Sequence, residues 1–201
     1  MNPRSVGVEE ELLLVEPGTG RPRAVAGTVL EMANQAAESS REAGPDQAGP
    51  DQAGAGQARD DAASLELELQ QQQVETNSQP CHSLTDLYRE LRRCRAVAAA
   101  AASKAGVQVA ALATSPVAVE PELVTKSRYQ RMSEAFGLTA HEQLTCGFHV
   151  HVEISSDDEG VAVLDRVGPW LASLLALSAN SPFWQETDSA VAITATDHQL
   201  D

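Results

Sequence analysis

The sequence predicts an α+β domain, because four strand-like segments alternate with four helix-like segments along 201 residues. Apolar and polar residues alternate in the strand-like segments, whereas apolar residues recur three and four positions apart in the helix-like ones. At least one face of the sheet must be polar, because glutamates and histidines occupy alternate positions of two strands. A chain of this length can bury a real core within one domain.

The first predicted strand covers residues 6–15 and is amphipathic. One face carries Val6, Val8, Leu12 and Leu14 and is interrupted by Glu10, and the other face includes Glu9 and Glu11. Residues 16–20, with the sequence EPGTG, are a turn signal, and residues 25–37 fit a short helix. Residues 43–57 then repeat a pentad of Ala, Gly, Pro, Asp and Gln, which cannot offset its chain entropy by burial, so we predict a disordered insertion at residues 38–62.

Residues 65–75 read as one strand in which leucines alternate with polar residues. Ser83, three residues before Asp86, approximates a capping box and opens a helix that we expect to end at Gly106. Residues 107–113 fit a short buried strand, and residues 127–136 fit a helix. Ser156 and Glu159 predict another helix start, and Gly168-Pro169 predicts a kink or a split in that helix.

Residues 147–154, with the sequence GFHVHVEI, carry the strongest chemical signal. In a strand, the apolar residues of this run share one face, which we expect to belong to the core, while His149, His151 and Glu153 share the other. Such a polar face is costly to bury unless it is paired or metal-bound, and its ligand types suit Zn, Mn or Mg. The alternative is an exposed edge strand or a satisfied histidine network.

Further carboxylates point in the same direction. Glu9 and Glu11 repel each other on one strand face unless a cation intervenes, and an all-oxygen site favours a hard cation such as Mg²⁺. Glu68 and Glu75 are separated by an odd number of residues, so they share a site only if the chain bends between residues 70 and 73. Arg128 could clamp a phosphate or a carboxylate. In each case a solvated polar surface is the alternative.

Composition and charge narrow the classes of function. The formal net charge of −15 argues against a nucleic-acid binder and against docking on an anionic membrane. Three cysteines without a C-x-x-C spacing fit a reducing compartment. No signal peptide is apparent, and the longest apolar runs look too short to span a bilayer. We therefore expect a soluble cytoplasmic protein.

Five segments, in order along the chain, resemble the carboxylate–amine ligase family related to glutamate–cysteine ligase type 2. They are VGVEEELLLVEPGTG, LELQQQQVETNSQPC, RYQRM, LTCGFHVHVEI and LSANSPFWQ. The resemblance implies a glutamine-synthetase-like catalytic fold, in which an antiparallel sheet with flanking helices forms a cradle for ATP and Mg²⁺ or Mn²⁺. It also implies phosphorylation of the γ-carboxylate of glutamate, followed by attack of cysteine or another amine on the acyl phosphate.

The resemblance carries cation-binding roles over to particular residues. It implies metal ligands at Glu9, Glu11, Glu68, Glu75 and His149, with His151 and Glu153 on the same face as further candidates, and a phosphate or substrate contact at Arg128. Cofactor-binding residues for ATP are not identified beyond these.

The chain leaves the family pattern after residue 185, where the family continues for roughly as long again. We therefore expect residues 1–201 to be a truncated, partial catalytic domain with a divergent tail at residues 186–201. Uncovered apolar surface would then favour association, including homo-oligomers. The rival hypotheses are a metal-dependent hydrolase that uses the H-x-H-x-E strand, and a non-catalytic remnant.

Overall fold

The computed structural model describes residues 3–42, 65–137, 144–184 and 186–188 and shows a mixed α+β architecture. The strands are β1 (Val6–Val15), β2 (Leu65–Leu67), β3 (Gln73–Asn77), β4 (Gln108–Ala110), β5 (Phe148–Val152), β6 (Phe183–Trp184) and β7 (Thr187–Asp188). The helices are α1 (Ala26–Glu42), α2 (Leu84–Lys104), α3 (Ser127–Phe136) and α4 (Asp157–Ser178). The predicted alternation of strands and helices is therefore confirmed, apart from the strand boundaries described below.

The long strand β1 organises a five-stranded antiparallel sheet. β3 pairs along one edge of β1, with Glu11 opposite Glu75, and β2 pairs with β3. The other edge of β1 pairs with β5 near its start, with Glu9 opposite His149, and with β4 near its end. β6 and β7 form a separate two-stranded ribbon. One strand thus contacts three others, and its alternating side chains set the character of both sheet faces.

Helices α1 and α2 cover one face of the sheet and enclose the main core. Its buried residues are Leu12, Leu14, Ala26, Val29, Ala33, Leu65, Val74, Ala98, Ala101, Ala102 and Val107. The alanines of α2 let the helix lie close to the strands, since they add little side-chain bulk. Ser83 caps α2 by accepting a hydrogen bond from the Asp86 backbone N–H at 3.1 Å, and Gly106 follows the helix with a φ of 76°, as the sequence predicted.

Glu10 lies on this helix-covered face and is only 3% exposed. Its carboxylate accepts two hydrogen bonds from the Arg95 guanidinium of α2, at 2.7 and 2.6 Å. The charge that interrupts the apolar face of β1 is therefore neutralised by a partner 85 residues away in sequence. The pair anchors α2 to the sheet, and sequence spacing gave no sign of it.

Three local predictions need correction. Residues 65–75 are not one strand: β2 and β3 form a hairpin, with a turn at residues 71 and 72. The strand predicted at residues 107–113 is shorter, and Gln108–Ala110 is not fully buried. Helix α1 continues to Glu42, so residues 38–42 of the predicted insertion are helical, while residues 43–62 lie outside the described residues.

The region after β5 also differs from expectation. The apolar face of β5 is not core, because Phe148, Val150, Val152 and Ile154 are each about half exposed. Pro169 does not split α4, which is a single 22-residue helix with no buried residue. By length and composition alone α4 could cross a membrane, which corrects the expectation that every apolar segment is too short. Of the predicted divergent tail, only residues 186–188 are described.

Candidate functional site

The sheet face opposite α1 and α2 gathers the predicted acidic and imidazole side chains. Paired residues of neighbouring antiparallel strands share a face. The pairings of Glu9 with His149 and of Glu11 with Glu75 therefore place all four side chains on one side of the sheet. His151 joins them because it lies two residues beyond His149 on the same strand.

Three carboxylates converge within this face. Glu11, Glu68 and Glu75 each offer an oxygen atom, and these atoms all lie within 4.8 Å of one another. The hairpin of β2 and β3 makes the meeting possible, because Glu66 pairs with Glu75 and Glu68, two residues farther along, therefore lies on the same sheet face as Glu75. The structure thus supplies the break that the sequence required for Glu68 and Glu75 to share a site.

Neighbouring amides hold these carboxylates in place. The Gly147 backbone N–H donates to Glu11 Oε2 at 2.9 Å, and Gln73 Nε2 donates to the same oxygen at 3.3 Å. Asn77 Nδ2 donates to Glu75 Oε1 at 3.1 Å. Gln73 itself is buried, and its Oε1 has no hydrogen-bond partner among the described residues. These contacts fix the carboxylates of Glu11 and Glu75 while the three glutamates keep oxygen atoms within 4.8 Å of one another.

The pKa values reflect this crowding. Burial raises the pKa of Glu11, an effect that the Gly147 N–H opposes and the charges of Glu75 and Glu9 reinforce. Burial likewise raises the pKa of Glu68 to about 7, with further contributions from the Glu11 charge and from a hydrogen bond with Glu75. The Glu68 carboxyl is therefore partly protonated at neutral pH, and a bound cation could take the place of that proton.

Glu9 lies between the two histidines. Its Oε2 is 3.1 Å from His151 Nε2 and 3.6 Å from His149 Nδ1, and the two imidazole rings stand edge to face with centroids 6.4 Å apart. All three side chains are partly or largely exposed. The polar face therefore has two adjoining parts: a carboxylate cluster of Glu11, Glu68 and Glu75, and a carboxylate–imidazole group of Glu9, His149 and His151.

Gly147 links the two parts, although sequence reasoning did not single it out. Its N–H binds Glu11, and a Cβ at this position would lie 2.7 Å from His149 Nε2. Only a residue without a side chain leaves room for the imidazole ring beside the backbone. The glycine that directly precedes the F-H-V-H run was the available signal in the sequence.

Glu153 and Arg128, the remaining predicted site residues, belong neither to the carboxylate cluster nor to the carboxylate–imidazole group. Glu153 is exposed, and its Oε2 accepts hydrogen bonds from the Ser5 N–H at 2.9 Å and the Ser5 Oγ at 3.0 Å, which lower its pKa. Arg128 is exposed on α3, with its guanidinium carbon 5.8 Å from the centre of the Tyr129 ring. Tyr129 donates to the Leu67 carbonyl at 3.1 Å and so ties α3 to the strand that precedes Glu68. The roles predicted for Glu153 and Arg128 stay predictions.

A groove of about 480 Å³ opens beside Glu9. Its walls come from the start of β1, the segment after β3 and the end of β5, and include Glu9, Asn77, Ser78, His151, Glu153 and Ile154. Glu9 and His151 belong both to the groove and to the carboxylate–imidazole group. A molecule held in the groove would therefore reach the edge of the polar face.

The donor set fits divalent cations. The three converging carboxylates offer the hard oxygen ligands that Mg²⁺ prefers. The adjoining imidazoles suit Mn²⁺ or Zn²⁺ as well. Without a cation, protonation of Glu68 reduces its repulsion by Glu11 and Glu75, and a divalent cation would reduce that repulsion further.

Comparison with known proteins decides the family. The model of glutamate–cysteine ligase family 2 matches residues 5–192. The chain belongs to glutamate–cysteine ligase family 2. A Streptomyces avermitilis protein named "Putative glutamate--cysteine ligase 2-1" is 48% identical over 93% of this chain and 46% of its own length. A Paenarthrobacter aurescens protein of the same name is 46% identical over 94% of this chain and 45% of its own length.

The chain therefore spans somewhat less than half the length of these family members. The match to glutamate–cysteine ligase family 2 includes every described strand, the carboxylate cluster and the carboxylate–imidazole group. It confirms the family resemblance found in the sequence.

Proposed function

We propose that this chain contributes the cation-binding part of an ATP-dependent carboxylate–amine ligase of the glutamate–cysteine ligase type. The observation that carries the proposal is the convergence of Glu11, Glu68 and Glu75 within 4.8 Å on the same sheet face as Glu9, His149 and His151. Carboxylates gathered in this way repel one another, and divalent cations are the natural counter-charge. Family membership and the names of the relatives give the reaction class.

In the proposed reaction, the γ-carboxylate of glutamate takes the terminal phosphoryl group of ATP, and an amine then displaces phosphate from the acyl phosphate. Bound Mg²⁺ or Mn²⁺ would neutralise negative charge on the phosphates during transfer. We propose the glutamine-synthetase-like cradle as the fold that supports this chemistry, with the antiparallel sheet as its floor.

The residues of the chain have distinct proposed roles. Glu11, Glu68 and Glu75 would hold one cation, and Glu9 with His149 would hold a second, with His151 either binding the cation or fixing the Glu9 carboxylate. Arg128 is proposed to contact phosphate or substrate, and Glu153 to hold Ser5 at the edge of the groove rather than to approach the cluster. We also propose that the reaction takes place in the cytoplasm and that its substrates are glutamate and a small amine.

Cation binding is the first test. Isothermal titration of the 201-residue chain with Mn²⁺ should show binding, and Glu11→Gln or Glu75→Gln should weaken it by at least about tenfold to a hundredfold, the range typical of losing even a residue that supports a ligand. Glu66→Gln is the matched control, because Glu66 lies opposite Glu75 in the hairpin but is exposed and outside the cluster. Equal Mn²⁺ affinity in all four proteins would contradict the assignment of the cluster.

Turnover is a separate test. Phosphate release that requires ATP, glutamate and an amine together would support a ligase, and Arg128→Ala should reduce it if Arg128 contacts phosphate. The exposed Arg131→Ala on the same helix is the control. Mn²⁺ and nucleotide binding without turnover would support a non-catalytic remnant that keeps the site.

A hydrolytic metal centre is the competing function, favoured only by the short distances from Glu9 to the two imidazoles. Zinc that co-purifies with the chain and is lost in His149→Ala, together with no nucleotide binding, would replace the ligase proposal with this one.

A further inference from the structure

Helix α4 presents an apolar surface that nothing in the described part of the chain covers. None of its 22 residues is buried, and its large apolar side chains are strongly exposed, with Leu164 at 73% and Leu177 at 83%. Soluble monomers seldom expose contiguous apolar patches beyond a few hundred Å². The helix carries apolar residues on most of its circumference, which is typical of a helix that other elements surround.

The exposed face of β5 continues this surface. Val150 pairs with Val8, so the apolar side chains of β5 lie on the same sheet face that α1 and α2 cover farther along the sheet. The helix layer stops short of β5, and Val150 remains 57% exposed. At the end of β5, Ile154 Cδ1 lies 3.1 Å from the Cβ position of Gly160, so strand and helix meet there.

We define the α4–β5 surface by the exposed apolar residues of β5 and α4, together with Ile154 between them. They are Phe148, Val150, Val152, Ile154, Val161, Val163, Leu164, Trp170, Leu171, Leu174, Leu175 and Leu177. Arg4 bridges the start of α4 and the end of the β5 segment, because Arg4 Nη2 donates to Glu159 Oε1 at 2.5 Å and Arg4 Nη1 donates to the Glu153 carbonyl at 2.9 Å. The surface is therefore held against the sheet at one end.

The charges of α4 disfavour a lipid environment for this surface. Asp157, Asp158 and Glu159 occupy the first turn, and Asp165 and Arg166 lie within the helix, where each would be costly in the hydrocarbon core. A protein partner can leave these groups in water while it covers the leucines and valines. β5 offers a sheet face rather than a helix, which also suits a packed protein layer.

We propose that the α4–β5 surface is the interface for the rest of the ligase fold. The occupant is the portion of the relatives' length that the match does not reach, which is more than half of each relative. Its contacting segment is apolar and extends the helix layer from α2 across β5. This inference depends on family membership and not on turnover.

Co-expression tests the proposal directly. The 201-residue chain is produced together with the unmatched part of the Streptomyces avermitilis relative, and the mass of the product is measured by light scattering during size-exclusion chromatography. A one-to-one complex is expected. Leu164→Glu and Val150→Glu should each weaken it by about tenfold or more, because a charge replaces an exposed apolar side chain of the surface.

Two controls keep the outcome specific. Leu84→Glu changes an equally exposed leucine, 79% exposed at the start of α2 and outside the surface, and should leave the complex intact. Glu11→Gln changes the carboxylate cluster and not the surface, so it should also leave the complex intact. Mn²⁺ binding therefore tests the ligase proposal, and complex formation tests the interface proposal separately. Circular dichroism of each variant alone checks that the exposed substitutions do not unfold the chain.

Hydrogen exchange gives a second measurement that needs no variant. In the complex, the amides of α4 and β5 should exchange at least about tenfold more slowly than in the chain alone, as covered elements do. The proposal is overturned by the absence of a complex, or by a complex that Leu164→Glu and Val150→Glu leave unchanged. It is also overturned if Leu164→Glu abolishes a self-dimer or the binding of phosphatidylcholine vesicles instead.

Discussion

Glu68 has the most strongly perturbed pKa among the carboxylates of the site, and this affects stability as well as binding. Its pKa rises from 4.5 to about 7, chiefly because of burial. Between these two pH values the folded chain holds a proton that the unfolded chain has released, so folding stability falls as the pH rises through this window. The cost is complete above pH 7 in the absence of a bound cation.

We therefore expect Glu68→Gln to stabilise the metal-free chain at pH 8 by about 1–2 kcal/mol. This is less than the ~3 kcal/mol that the full shift implies, because solvent partly screens the carboxylate. Near pH 4 the variant and the natural chain should have similar stability. Urea unfolding in EDTA at both pH values measures this, with Glu66→Gln as the exposed control. A gain that does not depend on pH would contradict the assigned cause.

Gly147→Ala should damage the site without unfolding the sheet. The added Cβ would meet the His149 ring at 2.7 Å, and the flexible ring moves more easily than the strand. We expect His149 to turn away from Glu9 and Mn²⁺ affinity to fall by about tenfold, which is typical when a supporting contact is lost. Gly7→Ala is the control, since its Cβ would make only an ordinary contact of 3.6 Å with Ser78.

The Glu10–Arg95 pair allows a test of buried charge. Arg95→Met should destabilise the chain by about 2–4 kcal/mol, because it leaves a buried carboxylate unpaired, although the half-exposed arginine moderates the cost. The double variant with Glu10→Leu should recover most of the loss in urea unfolding. Arg89→Met, which breaks an exposed pair with Asp86, should cost less than about 0.5 kcal/mol. Equal losses for Arg95→Met and Arg89→Met would show that burial is not the cause.

Sequence alternation was enough to place some site residues but not others. Glu9, Glu11, His149 and His151 follow from the period of two in β1 and β5. Glu68 could not be placed, because its position depends on a chain bend that no periodicity encodes. Glu10 looked like a defect in an apolar face, since its partner Arg95 comes from a distant helix.

At the scale of elements, the two capped helices should respond differently to the loss of their caps. Ser83 caps α2, which contributes buried alanines to the core, whereas Ser156 caps α4, which contributes none. Ser83→Ala should therefore lower the free energy of global unfolding by about 1 kcal/mol. Ser156→Ala should leave global unfolding unchanged and increase only the exchange of α4 amides. Hydrogen exchange and urea unfolding together separate the two effects, and a global loss in Ser156→Ala would show that α4 belongs to the cooperative unit.

Helices were easier to predict than strands for a physical reason. Helix signals are local, so Ser83 and Ser156 marked their starts and residues 127–136 matched α3. Strand burial depends on what covers the sheet, and the alternation in β5 could not show that α1 and α2 stop short of it. The hairpin of β2 and β3 was likewise hidden, because glutamines fill its turn where glycine or asparagine would have signalled one.

For the whole molecule, divalent cations should act as folding ligands. The chain carries a net charge of −15, and part of it is concentrated on one sheet face. Mn²⁺ at a hundred times its dissociation constant should add about 2.7 kcal/mol of stability, provided that it binds only the folded chain. NaCl at equal ionic strength should add much less, since it only screens charge. Thermal unfolding measures both, and Glu11→Gln should remove about half or more of the Mn²⁺ effect. An equal response to the two salts would indicate screening alone.

The pairing of β1 with β5 has a consequence for biosynthesis. Glu9 and His149 are paired although about 140 residues separate them in the sequence, and contacts so distant along the chain tend to form slowly. A nascent chain would therefore complete its β2–β3 hairpin and its carboxylates well before either imidazole arrives. If the proposed cations bind there, full metal capture would report that the last strand of the large sheet has paired, and the manganese content of newly made protein would distinguish mature molecules from immature ones.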